Sequence, residues 1–214
     1  MVLTPVLPAW IEPTDVVRLH VFLAFVILFV LLERLLPGRP HGWQGRATGN
    51  IGLQLLNAGL VAGLALTAPI SLSAATLYAQ FNQWGFFNQL ELGLWTRIVI
   101  AWIVLDLIAY WWHRLWHLTP LLWRFHRIHH IDDVLDVTTT FRTHPLETVA
   151  TLLMKAGLVM LLGVPLLGII IYEVIVATMA LWIHANIRVF RPLDRVLGWI
   201  VVTPLLHRVH HGSG

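Results

Sequence analysis

Long apolar runs alternate along this chain with short polar segments that carry most of the arginines, and the pattern predicts helices that cross or line a membrane. Met1 to Glu12 reads as an irregular or interfacial lead. Pro13-Thr14-Asp15 then offers a cap and a rigid first turn, an apolar run follows from Val16 to Leu36, and Pro37-Gly38 stops it. At about 1.5 Å per residue, such a run suits a hydrocarbon core of roughly 30 Å. A polar loop from Arg39 to Gly49 leads to a second run, Ile51 to Leu77. Its Gly52, Gly59 and Gly63 permit close helix packing in lipid, and Pro69 predicts a kink. Gln80 to Glu91 is polar and aromatic, with Trp84, Phe86 and Phe87 suited to an interface belt. A third apolar run extends from Leu92 to Trp112. Thr148–Leu162 and Leu166–Ile183, divided by Gly163-Val164-Pro165, predict a hairpin that crosses fully or dips in, and Lys155 favours a shallow or protein-buried place for its first arm. Asn186 to Leu206 predicts a surface-lying amphipathic helix.

The expected fold class is therefore an all-α, polytopic membrane bundle of about four to five membrane helices. It is expected as a single membrane domain over residues 1–214, with a histidine-rich helical cap. Helices 1–3 fall within 16–112, the first cap segment is 113–147, the helical hairpin is 148–183, and the second cap segment is 184–214.

Composition sharpens this picture. The chain is 57% hydrophobic and 12% charged, against about 25% charged residues in soluble domains. Its mean hydropathy is +0.75. Cysteine is absent, which excludes disulfides and thiolate metal sites and leaves nitrogen and oxygen as the possible ligands. A pI near 10.0 would suit nucleic acid. The basic residues are thirteen Arg and one Lys spread between apolar runs, however, so membrane topology explains them and no nucleic-acid partner is expected. Without a positive lead, and interrupted by Pro5, Pro8 and Pro13, the N-terminus does not look like a cleaved signal peptide. Arg34, Arg39 and Arg46 flank the first loop, whereas Arg97 alone flanks the second. Arg114, Arg124, Arg127 and Arg142 accompany one histidine stretch, and Arg188, Arg191, Arg195 and Arg208 the last. Crossing parity puts these arginine-rich segments on one face, which the positive-inside rule makes cytoplasmic. That parity fails if the Thr148–Ile183 hairpin is a single crossing.

Candidate chemistry sits in the histidines. His113 and His117 are spaced i, i+4, one face of a helix able to grip one ion. His126, His129 and His130 follow at i, i+3, i+4, and His207, His210 and His211 repeat that spacing. Eight imidazoles overfill one ion but suit two with open positions, and clustering them without metal would leave ring nitrogens in need of partners. His184 closes an apolar helix on the same face and is a candidate ninth ligand. His20 and His41 read as ordinary. His144 is intermediate: Pro145 disfavours a helical backbone there, and Thr143 or Glu147 could serve as well in an outer shell. Asp106, Tyr110, His113 and His117 form one polar stripe on the third helix. Asp106 there either orients an imidazole or bonds to a neighbouring helix. Asp132, Asp133 and Asp136 read as a solvated loop.

These boxes beside membrane helices resemble the fatty acid hydroxylase/sterol desaturase superfamily of integral-membrane di-iron oxygenases. The resemblance rests on Tyr-Trp-Trp-His-Arg at 110–114, on Phe141 to Glu147, on Ile183-His184-Ala185-Asn186, and on His207-Arg208-Val209-His210-His211. It covers roughly Leu92 to the end; the first two helices match in hydropathy alone. What it implies is two iron ions held by the histidines under a cytoplasmic cap, dioxygen as co-substrate, and hydroxylation or desaturation of a C–H bond in a fatty acyl, sterol or related lipid. His113, His117, His126, His129, His130, His207, His210 and His211 would be catalytic ligands with His184 beside them. Asp106, Tyr110, His144 and Asn186 are outer-shell candidates. Trp111, Trp112, Trp116, Trp123 and Phe125 either line a substrate path or anchor the interface. No Gly-x-Gly-x-x-Gly follows a strand, so electrons are expected from an external ferredoxin- or cytochrome b5-like donor. Family members usually continue beyond the last box, whereas this chain stops after Gly212-Ser213-Gly214, an ending that resembles a truncation or linker scar.

Two other classes compete. A haem electron carrier needs roughly one histidine per membrane helix, inside the spans; here the histidines cluster. A zinc-loaded or catalytically inactive metal-binding membrane protein is compatible with the ligands, since imidazole suits iron, copper, nickel and zinc alike and zinc is a common recombinant substitute. His113-Arg114-Leu115-Trp116-His117 nevertheless lacks the Glu of a His-Glu-x-x-His hydrolase.

Overall fold

In the computed structural model the described residues are 11–39, 46–65, 71–132 and 134–212, with side chains described from residue 18 onward. The expected lead up to residue 10, the loop holding His41, the Pro69 kink, Asp133 and the Ser213-Gly214 ending lie outside them. Nine α-helices are found among the described residues, with two 3-10 turns and no strand beyond one isolated bridge between Pro37 and Ile187.

Helix α1 (Ile11–Leu35) begins before the expected cap, because a first helical turn tolerates Pro13. The second apolar run is divided: α2 spans Arg46–Ala65 and α3 spans Leu72–Phe81, capped by the Ser71 hydroxyl accepting from Ala74 N–H. Helix α4 (Leu94–Leu118) continues six residues past the expected end of the third run, carrying His113 and His117 on its last turns. Thr119 is extended, as a residue before proline must be, so Pro120 starts a separate helix α5 (Pro120–His130) that folds back on α4. After the 3-10 turn Val137–Phe141 come α6 (Pro145–Leu162) and α7 (Leu166–His184), the expected hairpin. The single amphipathic helix expected after Asn186 is replaced by two short ones, α8 (Arg191–Leu197) and α9 (Pro204–Gly212). Pro192 sets the start of the first, and Pro204, which cannot continue a helix, opens the second.

Among the described residues three helices, α4, α6 and α7, are long and apolar enough to cross a membrane, against the four to five that the apolar runs suggest. Between them and α3 lies the main core, where Ala75, Ala101, Leu105, Val159, Ile169 and Tyr172 meet. A smaller core joins Phe29 of α1, Val137, Leu181 and Ala185. Outward faces stay apolar, as at Val99, Ile103 and Leu107 of α4 and Leu153 and Leu161 of α6, which suits lipid. Lys155 avoids lipid by placing Nζ over the Tyr172 ring at 5.4 Å, with Asp106 and Glu173 as electrostatic neighbours. Glu173 in turn pairs with Arg18 of α1.

The ends of α4 and α7 and the start of α6 converge at one end of the bundle. At the opposite end, Gly85 and Gly163 meet backbone to backbone, both with positive φ (102° and 69°). A Cβ on Gly85 would lie 2.2 Å from the Gly163 nitrogen. Gly85→Ala is therefore expected to cost at least about 2 kcal/mol, read as a lower unfolding midpoint in detergent with bound metal unchanged.

Candidate metal centre

Nine histidines meet at the convergent end. Four of them, His129 from α5, His184 from α7, and His207 and His211 from α9, are buried with their ligand nitrogens within 4.8 Å of one another. The same holds for His113, His117 and His210, and for His117, His126 and His130, two triads that share His117. Thus a group of four and a group of five adjoin, linked by the His130 and His211 rings stacked at 4.2 Å.

Helical spacing supplies the vertical alignment, and the α4–α5 reversal at Thr119 supplies the facing pair: His117 Nε2 lies 3.1 Å from His126 Nε2. His113 Nε2 reaches His210 Nε2 at 3.1 Å. In the other group His129, His184, His207 and His211 form a chain of Nε2 contacts at 3.1, 2.9 and 3.1 Å. Two nitrogens each about 2.1 Å from one ion, at roughly 90–109°, are separated by about 3.0–3.4 Å. The spacing suits shared ligation.

Tautomers sharpen the test. A carbonyl only accepts, so His184 Nδ1 must donate to Ala180 O (2.7 Å) and His129 Nδ1 to Arg142 O (3.2 Å). Neutral rings so fixed have bare Nε2 atoms, yet these two Nε2 atoms lie 3.1 Å apart. Facing lone pairs cannot hydrogen-bond to each other; a cation between them removes the conflict. His130 makes the same point, with both ring nitrogens buried and unpartnered.

Burial first, and neighbouring imidazoles second, hold these rings neutral. They push His129 and His207 well below the usual histidine range, His130 down to about 2 and His211 down to about 3. Below an unfolded-state value near 6.5 the unfolded chain takes up protons that the folded chain refuses. Stability of the metal-free protein is therefore expected to be flat above about pH 7.5 and to fall as pH drops from about 6.5 toward 3. Thermal unfolding midpoints of chelator-treated protein at pH 8, 6 and 5 would check this; a midpoint independent of pH would contradict it.

Outer contacts fix the rings. Glu147, in the first turn of α6, accepts from His126 Nδ1 at 2.8 Å, a partner the sequence offered only as one option near His144. Removing such a partner commonly costs 10–100-fold in metal affinity. Glu147→Ala is expected to weaken metal binding by about that factor, read by competition with a chelator, while leaving the helices formed. Asp132 and Asp136, expected to be solvated, are buried. Asp132 accepts from Arg142 Nη1 (3.0 Å), Arg46 Nη1 (3.5 Å), Thr139 Oγ1 (3.1 Å) and Asn50 Nδ2 (3.4 Å). Asp136 caps the 3-10 turn through Thr138 N–H at 2.8 Å. Glu33 of α1, not singled out by the sequence, accepts from the backbone N–H of Val137 (2.7 Å) and of Asn186 (2.6 Å), tying that turn to the segment after His184.

The other candidates sit elsewhere. Asn186 is buried and staples Arg39 by a reciprocal pair of 3.1 Å bonds, acting on the backbone beyond His184. His144 caps α6, accepting from Leu146 N–H at 3.1 Å, with its ring against Phe125. Tyr110 is exposed against Trp111, and Asp106 is exposed near Lys155. Trp116 is buried beside His126, Trp123 lies by His117 and His130, and Trp112 donates to Thr151 Oγ1 at 3.0 Å.

Comparison with known proteins identifies the family. The sequence profile described as fatty acid hydroxylase matches residues 98–214. The chain is 30% identical over 207 residues to the ornithine lipid hydroxylase OlsE of Rhizobium tropici, covering 90% of this chain and 59% of that protein. It is 27% identical to the alkylglycerol monooxygenase of Danio rerio and 24% to that of Homo sapiens, in each case covering 89% of this chain and 40% of the relative. The chain thus spans between two-fifths and three-fifths of the length of these relatives. No solved structure matches it significantly.

Proposed function

Because the chain belongs to the fatty acid hydroxylase family, we propose that it oxidises a C–H bond of a membrane lipid with dioxygen, by hydroxylation or desaturation, at two iron ions. The supporting observation is the pair of bare, facing Nε2 atoms of His129 and His184, a donor arrangement that calls for a cation. His129, His184, His207 and His211 would hold one ion, and His113, His117, His126, His130 and His210 the other. Bound iron would supply the redox power to activate dioxygen that no side chain here possesses.

The chain's own residues do the rest. The carbonyls of Arg142 and Ala180 and the Glu147 carboxylate hold protons on Nδ1 of His129, His184 and His126, keeping each Nε2 free to ligate. Burial of the four-histidine group excludes bulk water from it. The apolar outer faces of α4, α6 and α7 suit an integral membrane protein that would meet its substrates in the bilayer, and the relatives' names, an ornithine lipid hydroxylase and an alkylglycerol monooxygenase, favour polar membrane lipids. The arginines clustered at the histidine end favour a cytoplasmic site, where a ferredoxin- or cytochrome b5-like donor would deliver electrons.

The test is turnover of iron-reconstituted protein in lipid nanodiscs with a reductase–ferredoxin pair and 18O2. Mass spectra are expected to show lipid gaining one 18O or losing two hydrogens; lipid unchanged with two irons bound would contradict the reading. The four-histidine group would also suit zinc. A protein that retains zinc against iron excess and oxidises nothing would favour that second reading.

A further inference from the structure

Beside the histidine groups lies a cavity of about 390 Å³ into which His130 and His211 both face. Its wall also carries three arginines from three separate segments: Arg39 after α1, Arg127 of α5 and Arg208 of α9. Among the described residues the one carboxylate there, Asp132, is already engaged by Arg46 and Arg142, neither of which lines the cavity. The lining is therefore cationic before any metal is added, and two dications next door would make it more so.

Like charges do not gather in a concavity without cost, and here the fold enforces the gathering. Arg208 is pinned by Nη2 donating to the carbonyls of Ala185 (3.2 Å) and Ile187 (3.3 Å). The backbone of Arg39 is stapled by Asn186. Burial first and the neighbouring Arg39 guanidinium second disfavour the charge on Arg208, while Glu33 and Asp194 partly offset them. An anion between the two guanidiniums reverses the sign of their interaction. Guanidinium forks match the oxygens of a carboxylate or phosphate in bidentate fashion, and the volume is that of a small-ligand pocket, too small for a protein partner. Trp123, Ile131 and Leu135 give the cavity an apolar wall, as a headgroup continuing into a glycerol or acyl chain requires.

We propose that this cavity is an anion subsite that receives the carboxylate or phosphate of a lipid headgroup on Arg39, Arg127 and Arg208, beside His130 and His211. The substrate class would then be an anionic or zwitterionic lipid held by its headgroup. This deepens, and rests on, the lipid-oxidation reading above.

The experiment is lipid binding to the metal-loaded full chain in neutral detergent, with short-chain phosphatidic acid, the matching diacylglycerol and inorganic phosphate as probes. The double variant Arg39→Gln/Arg127→Gln is expected to bind phosphatidic acid at least about tenfold more weakly, with diacylglycerol binding and metal content unchanged. Arg124→Gln, exposed on the same helix but outside the cavity, is expected to behave as the unsubstituted protein. Unchanged phosphatidic acid affinity in the double variant, or an equal loss for diacylglycerol, would overturn the subsite. Inorganic phosphate binding as tightly as phosphatidic acid would overturn the lipid part and assign the cavity to a free anion. Protein that shows the charge-dependent binding yet oxidises no lipid would retain the subsite and contradict the proposed reaction instead.

Discussion

Substituting His129 by alanine is expected to leave one metal ion per chain where the unsubstituted protein would hold two, and to lower lipid oxidation by at least about 100-fold. His129 touches the four-histidine group at its most constrained point, 3.1 Å from His184 Nε2 with its own tautomer set by Arg142 O. An ion losing one of four nitrogens binds more weakly, and the remaining three rings gain an open side. The neighbouring group of five loses no member. Elemental analysis of purified variants checks this directly, with His20→Ala as a control, since His20 is exposed on α1, outside the histidine groups. Equal metal content in the two variants would contradict the assignment.

Asp132→Ala is expected to be the most damaging change that touches no ligand. It strips a buried carboxylate from Arg142 and Arg46 and leaves Arg142 without its closest countercharge. Breaking a buried pair from one side costs about 3–5 kcal/mol, a fall of roughly 10 °C in unfolding midpoint for a chain of this size. Metal binding is expected to weaken as well, because Arg142 carries both the guanidinium held by Asp132 and the carbonyl that orients His129. Asp136→Ala removes only a turn cap and is expected to cost about 1 kcal/mol. Unfolding curves in one detergent, with and without added metal, separate the two contributions. A loss no larger for Asp132→Ala than for Asp136→Ala would refute the role given to the network.

The histidine groups were legible as candidate ligands because helical spacing is a strong constraint: imidazoles at i, i+3 and i+4 share a face wherever the helix is placed. His184 was legible for another reason, as a polar residue closing an apolar helix at the correct end. What orients the rings was not. Two of the three orienting groups are backbone carbonyls, of Arg142 and Ala180, and every residue has one. Asp132 and Asp136 resembled a solvated loop because their identities say nothing of Arg46 and Asn50, which arrive from more than eighty residues away. The Asp106–Tyr110–His113–His117 stripe lies along one side of α4, but only its last turns are covered, by α5 and by His210 of α9. Farther along, the same side is open, so Tyr110 is exposed and Asp106 faces the Lys155 region instead of a histidine. In the fold, hydropathy located α4, α6 and α7, while the start of α3 within the second run is set by the Ser71 cap, a local feature that an apolar pattern does not mark.

X-ray absorption at the metal edge of protein loaded to saturation tests the central claim most directly. Nine imidazoles shared between two ions, four on one and five on the other, predict an all-nitrogen/oxygen shell with strong imidazole multiple scattering and about four to five imidazole nitrogens per ion on average. A shell dominated by oxygen, with one imidazole per ion or fewer, would show that the histidine groups do not hold the metal.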